Sequence, residues 1–187
     1  MSRLKKIFFQ AALVFVALLA LTIGGISLRA VHASNAASVS QAAASKTLNA
    51  YVTSYGFNDN SPPSADIAYP VIHQKATEGK GTYSDPITFA TDKSEIGVGT
   101  RVYVPFLQKY FIMEDDCAEC DSDWSGSHKY HIDLWMGPQH SSNATSLYNC
   151  EDSITRDSTQ IIVKPARNLT VDTTPLFKNN KCTAVIH

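Results

Sequence analysis

The sequence predicts an all-β domain of short strands, a small closed barrel or sandwich. Three observations carry that expectation. Short β-prone runs recur from Tyr51 to the C-terminus, Gly, Pro and Asn/Asp clusters punctuate them, and helical periodicity is nearly absent. Only residues 65–72 and 143–149 have the composition for short helices.

The chain opens with MSRLKKIFFQAALVFVALLALTIGGISLRAVHA. Lys5 and Lys6 form a basic leader, residues 7–21 are nearly all apolar, and Val31-His32-Ala33 is an A-x-A-like cleavage site. Residues 1–33 therefore read as a secretory signal peptide. The apolar run also approaches the roughly 20 residues that span a bilayer, so an uncleaved anchor is the competing reading. Gly24, Gly25 and the small residues before Ala33 favour processing, after which no stable membrane insertion is expected. Residues 34–48, SNAASVSQAAASKTL, are small and polar and read as a flexible linker. Residues 49–187 then form one domain of ordinary size.

Loss of the leader takes Arg3, Lys5, Lys6 and Arg29 and no acid, leaving 12 basic residues of the original 16 against 17 acids. The mature chain is net acidic, near −5. A nucleic-acid partner would need clustered Lys and Arg, and none is expected. A neutral or cationic polymer is the easier partner.

Strands are expected at 51–55 (YVTSY), 87–90 (ITFA), 100–105 after the Gly97-Val98-Gly99 turn, 109–113 (KYFIM), 131–135 (HIDLW), 160–164 and 181–186. Export makes Cys117, Cys120, Cys150 and Cys182 two disulfides in any of three pairings. Cys117-Ala-Glu-Cys120 also has zinc-ligand spacing, but no second C-x-x-C accompanies it. Asp121-Ser-Asp-Trp-Ser-Gly126 copies the first half of a calcium loop, yet Ile132 stands where its bidentate Glu belongs. A plain connection between strands is the simpler reading, and no metal or cofactor is expected. Asn143-Ala-Thr145 and Asn168-Leu-Thr170 are glycosylation sequons.

The chemistry concentrates on HIDLW. Asp133 lies between Ile132 and Leu134, and desolvation there raises a carboxyl toward a useful acid pKa. Strand alternation puts His131, Asp133 and Trp135 on one face. On that face Trp135 is placed either to stack on a sugar ring or to pack in the core. The alternative for Asp133 itself is a carboxylate satisfied by backbone N–H groups, bracing a loop.

Thr53-Ser54-Tyr55-Gly56, then Asp115-Asp116-Cys117-Ala-Glu-Cys120, then His131-Ile-Asp133-Leu give T-x-Y-G, D-x-C-x-x-C and H-x-D-L in order, with GVGTRVYVP between the first two. This resembles the double-psi β-barrel of expansins and RlpA-like wall proteins, over about 51–137. The resemblance implies a six-stranded barrel with an open groove for extended polysaccharide such as peptidoglycan, cellulose or chitin. It implies that Asp133 is the catalytic acid, as in MltA-type lytic transglycosylases. Asp115 orients the sugar or tunes Asp133, and Thr53, Tyr55, His131 and Trp135 contact substrate. In the related family 45 endoglucanases an Asp two residues after the Tyr of T-x-Y acts as base. Phe57 occupies that position here, so the expected cleavage is lytic, with a sugar hydroxyl as nucleophile. Expansin-like loosening or plain carbohydrate binding without cleavage, or a secreted effector that kept the barrel, are the other readings.

Overall fold

A computed structural model of the chain describes residues 44–137 and 143–187. The expected signal peptide at 1–33 lies outside them, as do linker residues 34–43.

The strands are β1 (Lys46–Tyr55), β2 (Ile87–Ala90), β3 (Arg101–Val104), β4 (Lys109–Asp115), β5 (His131–Trp135) and β6 (Arg156–Val163). They close a barrel in the order β1-β5-β2-β4-β3-β6. It is mixed: β1 runs parallel to β5 and β2 parallel to β4, while the remaining neighbours are antiparallel. The sequence-predicted all-β class and six-stranded barrel are what the chain adopts. Val52, Phe89, Val102, Val104, Ile132 and Leu134 are fully buried in its core. Burial of each such side chain contributes about 1.5–3 kcal/mol.

Four elements differ from expectation. β1 begins at Lys46, inside the stretch read as linker, because Lys46 to Leu48 pair with Val163 to Ile161 of β6. Residues 65–72 form no helix. Pro70 interrupts them, and the backbone N–H groups of Ala68, Val71 and Ile72 donate to the Asp115 and Glu114 carboxylates instead of to a helical ladder. The stretch after Cys117, read as a loop, is a helix, α1 (Ala118–Ser127). Cys117 caps it by accepting the Cys120 N–H, Glu119 and Asp121 favour its first turn, and His128 ends it in the left-handed conformation. Asp121 and Asp123 therefore sit on a helix, not on a calcium loop. Residues 181–186 give only β8 (Lys181–Cys182), which pairs outside the barrel with β7 (Phe177–Lys178).

The other helix, α2 (Ala144–Ile154), covers the expected one at 143–149 and continues past it, capped by the Asn143 side chain on the Ser146 N–H. The disulfides are Cys117–Cys120 and Cys150–Cys182. The second closes a 32-residue separation between α2 and the small hairpin, a constraint worth ~3–4 kcal/mol. Between α2 and the C-terminus, residues 166–174 are strapped to the barrel by strand side chains. Tyr103 and Tyr110 donate to the Thr170 and Ala166 carbonyls, and buried Lys109 donates to those of Asp172 and Thr174.

Candidate functional site

Parallel pairing of β1 with β5 sets Tyr51 beside His131, Thr53 beside Asp133 and Tyr55 beside Trp135. With side chains alternating across each strand, Val52, Ile132 and Leu134 enter the core while Tyr51, Thr53, His131 and Asp133 face outward. There they line a cleft of about 590 Å³. Its other walls are Asp59 from the loop after β1 and Cys117, Glu119 and Asp123 around α1, with Lys129 at the entry to β5.

Asp133 is half-buried and opens into this cleft. Its Oδ1 bonds the Thr53 hydroxyl at 2.7 Å. Thr53 Oγ1 also meets His131 Nε2 at 2.9 Å, and His131 Nδ1 meets Asp123 Oδ2 at 2.9 Å. One hydroxyl carries one proton, and this constrains the chain of four groups. Desolvation lowers the His131 pKa, so its neutral form is favoured, the Asp123 charge opposing the shift. A neutral His131 with Nδ1–H on Asp123 presents a lone pair at Nε2, so His131 and Asp133 compete for the single Thr53 proton, which is directed to Asp133. Desolvation pushes the Asp133 pKa up to about 7, helped by the charges of Asp59, Glu119 and, last, Asp115 and opposed by the Thr53 bond. A carboxyl poised near neutrality and open to a cleft suits general acid work.

A second acid pair runs from the cleft wall, at Asp59, to the buried Glu151 behind it. Asp59 is exposed, accepts the Gly56 N–H at 2.6 Å through Oδ2, and has its pKa raised by desolvation. Glu151 of α2 is buried, and no N–H or O–H reaches its Oε1. Burial first, and then the Asp59 and Asp133 charges, push its pKa up to about 9. Glu151 is therefore protonated at neutral pH, and shares that proton with Asp59. The Gly of T-x-Y-G has its reason here. A Cβ on Gly56 would lie 2.6 Å from Leu147 Cδ2 and 3.0 Å from Glu151 Oε1, so any side chain there would have to displace these two side chains of α2.

Three residues expected at the site act otherwise. Asp115 is not on the cleft wall. It is 7% exposed and its oxygens are taken: Oδ1 accepts the Ala68 and Asp116 N–H groups, and Oδ2 the Tyr55 hydroxyl. It braces the loop after β1, so a part in orienting sugar is withdrawn. Tyr55 lends the cleft a ring edge but gives its hydroxyl inward to that brace. Trp135 is fully buried, donates Nε1 to the Gly137 carbonyl and meets Tyr55 edge-on at 5.2 Å. It belongs to the core and cannot stack on a sugar. Tyr51, which sequence reasoning passed over, is the ring on the cleft wall, with the Lys129 Nζ 3.8 Å from its centroid.

His131 is buried to 3% exposure, its ring 4.5 Å from that of Tyr51, so it orients other groups from the cleft floor. Among the described residues, the side chains compact enough to hold a metal are Cys117, Cys120 and His131, with ligand atoms within 4.8 Å of one another. Both sulfurs are joined in the disulfide, which leaves no thiolate for zinc.

The family model described as the DDB_G0273701 N-terminal domain matches residues 47–183. The chain is also 45% identical over 134 residues to the Dictyostelium discoideum protein DDB_G0273701/DDB_G0273221, a match that covers 72% of this chain and 58% of that protein's length. No solved structure matches the chain.

Proposed function

The chain belongs to the family of the DDB_G0273701 N-terminal domain, and we propose that its barrel binds and cleaves a cell-wall polysaccharide outside the cell, with Asp133 as general acid. One observation carries this reading. Asp133 is an acid open to a sugar-sized cleft, held protonated up to about 7 by its surroundings. The closed six-stranded barrel and the ordered T-x-Y-G, D-x-C-x-x-C and H-x-D-L motifs support the double-psi likeness and, through it, the polysaccharide. Two disulfides and the basic-apolar leader support export.

In the proposed step the Asp133 carboxyl gives its proton to the glycosidic oxygen as the bond to the anomeric carbon breaks. Thr53 donates its hydroxyl proton to the new carboxylate, with the His131 ring, held by Asp123, behind it. A hydroxyl of the same sugar attacks the anomeric carbon, and the Asp133 carboxylate takes up its proton and is restored as the acid. That route asks no base of position 57, where Phe57 stands. Wall preparations of peptidoglycan, cellulose and chitin, incubated with wild type and Asp133→Asn, test the reading. Soluble fragments should appear from one polymer and fall by about 10²–10⁴-fold in the variant. Equal release by both would remove Asp133 from the chemistry.

Binding without cleavage is the second reading, and Tyr51 favours it. Tyr51 and Lys129 together give the cleft wall an aromatic ring and a hydrogen-bond donor for a sugar whether or not a bond breaks. Retention on one polymer with no new chain ends would establish it over the first.

A further inference from the structure

A second cleft, of about 490 Å³, opens where β3 begins and β6 ends, and shares no lining residue with the first. In the barrel order β2 and β4 stand between β3 and β5. Arg101, Lys164 and Arg167 line it, with Tyr83 and Thr100, and no carboxylate does. In a chain with more acids than bases, three cations around one hollow with no acid among them concentrate positive potential there.

Two of the cations are held in place. The guanidinium groups of Arg101 and Arg167 each lie 4.9 Å from the centroid of the Tyr83 ring. That ring is itself set edge-on against buried Tyr110 at 5.4 Å. Arg101 spends Nε on the Tyr83 carbonyl at 3.0 Å, and a guanidinium has four further N–H donors. The Lys164 N–H donates to the Arg101 carbonyl at 2.9 Å, which ties the backbone under both side chains. Stacked, pre-ordered guanidinium forks match the paired oxygens of a carboxylate or sulfate. A merely solvated basic surface would not converge on one ring.

We propose that this cleft binds the anionic oxygens of an acidic saccharide, a uronate carboxylate or a sulfate ester. The saccharide half of that statement rests on the proposed function; the oxyanion half does not. The test titrates the full chain, followed by amide NMR shifts, with a tetragalacturonate, a neutral tetrasaccharide and inorganic sulfate. The acidic tetramer should saturate with shifts at residues 99–101, 164, 166 and 167. Its affinity should fall at least tenfold in the Arg101→Gln/Arg167→Gln double variant and about threefold in Lys164→Gln, which alters one exposed side chain. Asp133→Asn should keep this binding in full, so loss of cleavage and loss of the anion site are read separately. Three results would overturn the proposal: no saturation, unchanged affinity in the double variant, or shifts of equal strength from the neutral tetramer or from inorganic sulfate.

Discussion

Glu114 and Asp133 are acids on β4 and β5, the two strands that flank β2. Glu114 is fully buried, and its oxygens are saturated. Oε1 accepts from the backbone N–H groups of Val71, Ile72 and His73 at 3.1, 2.7 and 3.0 Å, and Oε2 meets His73 Nδ1 at 2.6 Å. Asp133 is less buried and far less served, with the Thr53 hydroxyl as its side-chain partner and charged acids nearby. Burial alone does not mark the proposed acid, then. What separates the two is the supply of donors. The barrel spends its N–H groups where an acid anchors a loop and withholds them where an acid must keep a proton.

The contrast breaks if both acids respond alike to neutralisation. Glu114→Gln sets an amide NH₂ against either three backbone N–H groups or His73, leaving buried donors opposed. A loss of ~3 kcal/mol is expected, read as a Tm lowered by about 10 °C. Asp133→Asn at pH 8 removes a charge that the cleft desolvates and should leave Tm unchanged or higher. The sign follows from linkage. The folded Asp133 pKa, about 7, exceeds the unfolded value of about 3.9, so the folded chain binds the extra proton between them. Wild type should lose stability relative to Asp133→Asn as pH rises from about 4 to about 7. Glu95, pushed up to about 8 by burial, acts alike in both chains and drops out of the difference, whereas Glu151, held up to about 9 by burial and in part by the Asp133 charge, adds to the gap in the same direction until it too ionises. A gap that widened as pH fell would reverse the assignment.

A finer test concerns the one donor Asp133 does have. Thr53→Val keeps the shape of the side chain and deletes its hydroxyl, so the ionised Asp133 loses its stabilising bond. The limb of the pH–rate profile that falls as the acid ionises should move upward by roughly one unit, the worth of a hydrogen bond of about 1–1.5 kcal/mol. If Thr53 served only to bind sugar, KM would rise with the limb in place.

How much of this was readable beforehand depends on how local its cause is. Period-two alternation is enough to put Thr53, His131 and Asp133 on outward faces, and parallel pairing of β1 with β5 completes the arrangement. Alternation names a face but not what covers it. Trp135 shares the outward parity and is nonetheless buried, beneath Tyr55 and the segment around Gly137. The helix α1 left no periodic signal because Cys120 is its buried residue; a cap and a disulfide hold it instead of an apolar stripe. Glu151 comes to lie behind the cleft only through the packing of α2 on Gly56, a contact 95 residues apart in the chain that no local pattern encodes. The loop at 65–72 was misread for the converse reason, since its N–H groups are claimed by acids more than 40 residues away.

Asp59 offers the most delicate way to sharpen the comparison, because it belongs to neither class. It has one backbone donor, like a poorly served acid, yet it shares a proton with Glu151. It stands on the cleft wall with Asp133, two residues beyond Phe57. If cleavage is lytic, Asp59 touches the reaction only through its charge, one of several that hold the Asp133 pKa up. Asp59→Asn would then lower that pKa slightly, cost less than about threefold in rate at pH 6, and leave anhydro-sugar ends on the products. If Asp59 activates a water, the same substitution removes the base, the rate falls by about 10²-fold or more, and the wild-type products carry ordinary reducing ends. The end group of the wild-type product and the rate of one variant therefore have to agree. A reducing end made at an unchanged rate by Asp59→Asn would mean that neither carboxylate pairing describes this cleft.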